Sequence, residues 1–306
     1  MNLFKWPPPK RSCMLKILVP ISTVSIKQSQ VLRLITIWEI ARAAAIVRCT
    51  HLLFYKDLEV KDHEIVTLIE KTLRYLLTPP YLRKKVIPLD PQLRLVGILN
   101  PLALPIHYRR DDPVLGSVRL ALIELKNDTV VAHIGTDKPC TMIDVKASDL
   151  NLVNPLQFVE VVSLSPLLCK LVQEDNVKIY TGFKYRFYDS LKEALYQECR
   201  DSVLIEFSKF GMDAKKALRS LRAIASKQKI NILCTVFGSP SMDASEILAK
   251  ENGTDISSYA KSQLHAHYLR INAVPYQGVR SIRTHEALYL ALAILNLILF
   301  DLKICC

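Results

Sequence analysis

The chain has 306 residues, half of them hydrophobic and 23% charged, enough for two domains or for one domain with an insertion. Lysine and arginine number 41 against 29 acidic residues, and the resulting +12 points to a polyanionic partner, nucleic acid first, or else to a lysine-rich solvated surface. The polar, Pro-rich first eleven residues do not read as a signal peptide, and the apolar run 287–300 would form a helix of roughly 21 Å against a hydrocarbon core of ~30 Å, so a buried helix and no membrane are expected.

In chain order, LKILVPIS (15–22) has a strand pattern and Gln30 to Val47 an amphipathic helical one. HLLFY (51–55) reads as a second strand, and His63 to Leu77 as a helix stopped by Pro79-Pro80. Strands alternating with helices imply a parallel α/β sheet. From about 112 to 165 the helical period disappears. VRLALIEL (118–125), TVVAHIG (129–135), CTMIDV (140–145) and FVEVVS (158–163) follow one another, separated by turn-formers. Four or five short strands in so few residues suggest a small antiparallel barrel, of which the OB-fold is the commonest nucleic-acid-binding kind.

The α/β rhythm then returns. VKIYTGF (177–183) reads as a strand, Asp189 to Cys199 as a helix capped by Asp189 or Ser190, and SVLIEF (202–207) as a strand. Asp213 to Ser226 reads as a basic helix, ILCTVFG (232–238) as a strand and Asp243 to Glu251 as a helix. LRINAV (269–274) is the last strand and Thr284 opens the last helix. The expected organisation is 1–111 as the first part of an α/β domain, 112–176 as a β-barrel insertion and 177–306 as the rest of the α/β domain.

The eight cysteines (13, 49, 140, 169, 199, 234, 305 and 306) contain no Cys-x-x-Cys pair and mostly sit in apolar runs. They read as reduced core residues of a cytoplasmic protein. The seven histidines join no Cys or carboxylate cluster at ligand spacing, so no metal is expected.

Ligands of a parallel sheet bind beyond the carboxyl ends of its strands. Three such ends carry a glycine in a chain that has only eight: SKFG (208–211), FGSP (237–240) and PYQG (275–278). Glycine there allows close backbone approach or positive φ, although ordinary turn chemistry would also select it. The dinucleotide, P-loop, zinc-protease and hydrolase motifs are all missing.

The segment NAVPYQGVRSIRTHEALYLALAILN (272–296), in which a Gly-containing loop leads into an Arg-Thr-x-Glu-Ala helix start, resembles the last knot motif of SPOUT-class RNA methyltransferases. IARAAAIVRCTHLLFYKD (40–57) resembles the first part of that class, and LRLVGILNPLALPIHYRR (93–110) a segment of its archaeal and eukaryotic branch with an OB-like insertion. The resemblance runs from about 15 to 300, and it implies a knotted parallel sheet with a C-terminal trefoil knot, an inserted OB-like barrel, and a homodimer with its active site near the interface.

It also implies a pocket for S-adenosylmethionine made by Ser208 and Gly211, by Phe237, Gly238 and Ser239, by Asn272, Ala273, Val274, Gln277 and Gly278, and by Ser281, Ile282, Arg283 and Thr284. Gly278 would let the loop wrap the cofactor, and Thr284 would cap the last helix with Glu286 in its first turn. The chain departs from the branch at Phe210, where an arginine is usual, and at Tyr276, where a glycine is usual.

Arg42 in IARAAA matches the arginine of the ribose-methylating motif, but Thr36 and Trp38 stand at its Asn and Gly positions. That weakens 2′-O chemistry and leaves a guanidinium able to stabilise a uridine N3 anion, or simply to pair with Glu39 or a phosphate. His107 could orient a base. Arg109 and Arg110, with Lys215, Lys216 and Arg219 of the basic helix, could contact RNA phosphate. The expected function is therefore S-adenosylmethionine-dependent methylation of RNA, ribosomal RNA first, at a base nitrogen such as uridine N3. A non-catalytic RNA-binding or ribosome-assembly protein that keeps the fold, and a ribose 2′-O-methyltransferase, are the alternatives.

Overall fold

The computed structural model describes residues 4–58, 64–107, 113–143, 145 and 155–304. The chain forms two compact units, one built from 11–73, 95–99 and 182–306 and the other from 1–10, 74–94 and 100–181.

The first unit is a six-stranded sheet. Its strands are β1 (Met14–Pro20), β2 (His51–Tyr55), β8 (Lys184–Tyr188), β9 (Val203–Met212), β10 (Ile232–Phe237) and β11 (His267–Ile271). They lie in the order β11-β9-β10-β1-β2-β8 and every pair is parallel. A parallel sheet buried on both faces needs continuous apolar strands, and β1 answers with six buried residues in seven. The connecting helices are α1 (Ser22–Ser25), α2 (Gln30–Ile46), α3 (Glu64–Leu77, whose last turn enters the other unit), α5 (Leu191–Glu198), α6 (Ala214–Ala225), α7 (Ala244–Asn252), α8 (Ile256–Tyr259) and α9 (Thr284–Asp301).

Local capping sets several of these boundaries. Ser29 accepts from Leu32 N–H, Ser190 from Glu193 N–H, and Asp213 from the N–H groups of Lys215 and Lys216. A buried ion pair, Lys16 Nζ to Glu198 Oε2 at 2.6 Å, ties β1 to the end of α5, and Arg186 of β8 reaches the other carboxylate oxygen at 2.8 Å.

The last helix differs from expectation. Helix α9 is long and apolar enough to span a membrane by length and composition, and 44% of it is buried inside the protein. Leu288, Ala291, Leu292, Leu295, Ile298 and Leu299 face the core, whereas Leu290, Leu297 and Phe300 are exposed. Its apolar surface exceeds what this core takes up.

The second unit is a closed barrel of β3 (Val118–Lys126), β4 (Thr129–His133), β5 (Cys140–Met142), β6 (Leu156–Leu164) and β7 (Leu167–Val172), in the order β3-β4-β5-β7-β6 with β5 parallel to β7. Ala121, Ile123, Val130, Ala132, Ile134, Val159 and Val161 fill it. Helix α4 (Pro80–Val86) lies against it: Tyr81 donates to the Leu120 carbonyl, and its ring occupies the space a Cβ would need at Gly135.

Three sequence expectations shift. The strand placed at 177–183 lies instead at Lys184–Tyr188, because 178–180 pairs with 8–10 of the N-terminal segment. The strand β7 was not expected separately. Finally, Cys140 and Cys169, on neighbouring strands with Cα atoms 6.0 Å apart, form a disulfide, and Cys13 is also disulfide-bonded, so these cysteines are not reduced. Cys49, Cys199 and Cys234 are free and buried, as core residues should be.

Candidate active site

The last residues of β9 and the loops that follow β10 and β11 enclose a cavity of about 270 Å³ inside the sheet unit, so SKFG (208–211), expected as a loop at a strand end, lies within β9. The first wall is Phe207 to Phe210, the second Phe237 to Asp243, and the third Ile271 to Val274 with Gln277. Ser281, Ile282 and Thr284 close it, and Ala287, Leu290 and Ala291 of α9 form an apolar side.

Of the residues expected to bind a cofactor, the structure brings eleven to this cavity: Ser208, Phe237, Gly238, Ser239, Asn272, Ala273, Val274, Gln277, Ser281, Ile282 and Thr284. Gly211, Gly278 and Arg283 do not line it. Gly211 sits behind the wall, where a Cβ would lie 2.4 Å from the Ile271 carbonyl carbon. Gly238 is equally tight, with the Met242 oxygen at 2.4 Å from such a Cβ. Gly278 has open space around it, so no protein contact requires glycine there. The cap of α9 is Arg283 and not Thr284: the Glu286 carboxylate accepts from Arg283 N–H at 2.9 Å, while the Thr284 hydroxyl donates to the Gly238 carbonyl at 3.3 Å. Thr284 thus fastens α9 to the loop after β10.

Two acids that sequence reasoning had treated only as helix residues face the cavity. Asp243 and Glu246 line it, and the Glu246 carboxylate accepts from Asp243 N–H at 2.8 Å. Asp243 Oδ2 accepts from Ser208 Oγ at 3.0 Å and from Arg270 Nη2 at 2.8 Å. Behind them lies the fully buried Glu206, which accepts from Ser245 N–H, the Ser245 hydroxyl and the Tyr268 hydroxyl, with Arg270 Nε at 3.4 Å. Burial, reinforced by the Glu206 carboxylate, raises the Tyr268 hydroxyl well above its ordinary range, so it stays a donor. The Asp-x-x-Glu spacing at 243–246, directly after the FGSP loop, was the available signal for these acids.

Tyr276 adopts φ +56° and is wholly exposed. The left-handed region favours glycine, so the backbone geometry agrees with the glycine usual at this position.

Arg42 lies half-buried on α2 and does not line the cavity. It sits in the field of Tyr289 on α9, whose hydroxyl is raised by burial and by Glu39 and lowered by Arg42. His285 Nε2 is 3.5 Å from Glu39 in the same neighbourhood. His107 belongs to the barrel-containing unit, where its Nε2–H donates to the Leu77 carbonyl at 3.2 Å. Burial there lowers its pKa to about 4. Lys215, Lys216 and Arg219 are exposed on α6, while Arg109 and Arg110 lie outside the described residues. No group of metal-ligating side chains occurs among the described residues.

A cavity at the carboxyl edge of a parallel sheet, apolar on one side and carboxylate-bearing on the other, is where an α/β protein takes a small organic ligand. The chain belongs to an RNA methyltransferase family: the family model described as "Putative RNA methyltransferase" matches residues 14–295. It is 28% identical over 261 residues to an uncharacterized protein of Haloarcula marismortui, covering 84% of this chain and 90% of that one. It is 28% identical over 316 residues to the 28S rRNA (uridine-N(3))-methyltransferase of Homo sapiens, covering 92% of this chain and 77% of that one. To the Drosophila melanogaster protein of the same name it is 26% identical over 322 residues, covering 92% of this chain and 61% of that one.

Proposed function

We propose that this protein is an S-adenosylmethionine-dependent methyltransferase that modifies N3 of a uridine in ribosomal RNA. The observation that carries the reading is the cavity at the carboxyl ends of β9, β10 and β11 in a chain of this family, two of whose relatives are named for that reaction. S-adenosylmethionine supplies an electrophilic methyl group on a sulfonium. The cavity suits such a molecule: a cationic nucleoside needs an apolar slot for its base and acids for its charge. Phe237, Ile282 and Ala291 offer the first, and Asp243 with Glu246 the second.

The target nitrogen must lose a proton before it attacks. A guanidinium beside a uridine N3 anion offsets that cost in a site from which water is largely excluded, and Arg42 is the candidate. In the same reading the C-terminal segment is threaded as a trefoil knot, and the chain works as a homodimer. Helix α9 supports the second point, because it borders the cavity through Leu290, exposes Leu297 and Phe300, and packs on α2, which carries Arg42. A second copy seated on α9 would lie beside both. The barrel's strand order, with its first three strands consecutive and its third parallel to its fifth, supports an OB-like RNA-binding module. Exposed Lys215, Lys216 and Arg219 would meet phosphate.

Calorimetric titration of S-adenosylmethionine, followed by single-turnover methyl transfer to ribosomal RNA, tests the proposal. Arg42→Ala should keep cofactor affinity and slow methyl transfer on the order of 10²–10³-fold, with Arg42→Lys nearly as slow, because an ammonium lacks the planar fork. Wild-type rates in Arg42→Ala would remove Arg42 from the chemistry, and absence of cofactor binding would remove the whole reading.

A further inference from the structure

One aromatic ring at the cavity mouth is poorly explained by folding or by holding a cofactor. Phe210 lines the cavity, yet 66% of its surface is open to water. An exposed phenyl forgoes the burial that normally stabilises it, so a ring held in this way needs another reason.

The ring is also held in place. Its backbone N–H donates to Ser208 Oγ at 3.1 Å, and Ser208 Oγ itself donates to Asp243. The preceding carbonyl, that of Lys209, accepts from the Asn272 side-chain amide at 2.8 Å. This end of β9 is therefore tied to both the second and the third wall of the cavity. Two cations attend the ring: Lys209 Nζ lies 5.1 Å from its centroid and Arg270 Cζ 5.6 Å. Arg270 is fixed in turn by Asp243 and Glu206. Four residues further on, α6 begins, and it exposes Lys215, Lys216 and Arg219. An exposed flat ring flanked by cations, next to a basic helix and opening on a cofactor cavity, is the arrangement that receives a nucleobase and its phosphates.

The geometry points to Phe210 as a stacking platform for a nucleobase of the RNA at the cavity mouth, with Lys209 contacting the adjoining phosphate. This rests on the methyltransferase reading. A base paired within a duplex hides its N3, so the enzyme must act on an unpaired or extruded nucleotide, and an unstacked base gains by lying on an aromatic face. Stacking is indifferent to sequence, so Phe210 would hold the base near the site while other groups choose it.

The test uses the full-length protein and a fluorescently labelled single-stranded oligouridine of about ten nucleotides, within the usual site size of such binders. Phe210→Leu keeps apolar bulk and loses the ring. It should weaken oligonucleotide binding on the order of tenfold, while Phe210→Trp binds at least as well as the native protein. The slope of log affinity against log salt should be unchanged in Phe210→Leu and fall by roughly 0.7 in Lys209→Gln, which separates stacking from charge. Affinity for S-adenosylmethionine, measured separately by calorimetry, should fall by a smaller factor than oligonucleotide affinity in Phe210→Leu, because the ring is mostly open to water. Native oligonucleotide affinity in Phe210→Leu, or no binding by the native protein, overturns the proposal. So does a loss confined to cofactor affinity, which would place the ring against the cofactor. Oligonucleotide binding that responds to Phe210 in a protein without cofactor affinity would sink the methyltransferase reading and leave the platform standing.

Discussion

At the scale of single residues, the three glycines around the cavity separate by what surrounds each of them. A Cβ at Gly238 would meet the Met242 oxygen at 2.4 Å and one at Gly211 the Ile271 backbone at 2.4 Å, whereas Gly278 has open space. Gly238→Ala should therefore distort the loop after β10 at a cost of about 1–3 kcal/mol in stability and weaken S-adenosylmethionine binding. Gly278→Ala should leave the folded protein unchanged, so calorimetry on it reports only whether the cofactor itself needs that space. Equal stability of Gly238→Ala and the native chain would contradict this. The sequence placed all three glycines at strand ends but could not tell close approach from open loop, because the crowding atoms come from distant residues. Asp243 was missed for a related reason: as the first residue of a helix it had a sufficient local explanation, and only the fold brings it to Ser208 and Arg270.

His107 carries a pH dependence of its own. In the unfolded chain an imidazole titrates near its ordinary value of about 6.5. Burial lowers it to about 4 in the folded protein, against the raising effect of the Leu77 carbonyl. Between those values the unfolded chain takes a proton that the folded one refuses, so stability present above pH 6.5 is lost as pH falls toward 4. Urea unfolding of the native protein and of His107→Gln, near neutrality and near pH 4.5, should show the variant losing less on acidification, by on the order of 2–3 kcal/mol. Equal losses would show that His107 does not titrate in this way.

Among the elements, legibility followed burial. The central strands β1, β9 and β10 are apolar runs that start within a residue of where the sequence placed them, although β9 continues past 207 through the SKFG segment to Met212. The edge strand β8 was displaced by one strand length. KYRFY is too charged to look like a core strand, yet an edge paired only with β2 tolerates lysine and arginine. The apolar VKIYTGF that drew the assignment satisfies its backbone with residues 8–10 instead. Helix α9 was expected to be a buried helix because its composition is almost wholly apolar, but composition cannot say whether the second face is covered by the same chain. Leu297 and Phe300, exposed by 64% and 52%, are the residues to change. If the chain dimerises through α9 as proposed, the native protein should sediment as a dimer and the Leu297→Glu, Phe300→Glu double variant as a monomer in analytical ultracentrifugation, with the circular dichroism spectrum retained. A dimer that survives both changes would place the interface elsewhere.

For the whole molecule, the alternation of strands and helices, its interruption by short β-runs and its resumption were readable because each follows from local periodicity. The Cys140–Cys169 disulfide was not, since a separation of 29 residues shows no pattern until β5 and β7 become neighbours. Nor could local pattern show that the last three strands end side by side around one cavity while Arg42 lies on a helix apart from it. The charge excess, the exposed lysines of α6 and the cavity become one account only if RNA is methylated at that cavity. The most direct test is to incubate the native protein with ribosomal RNA and S-adenosylmethionine carrying an isotopically labelled methyl group, then digest the RNA to nucleosides for mass spectrometry. The account predicts label in 3-methyluridine, lost in Arg42→Ala; label on a ribose 2′ oxygen, or no label in any nucleoside, would contradict it.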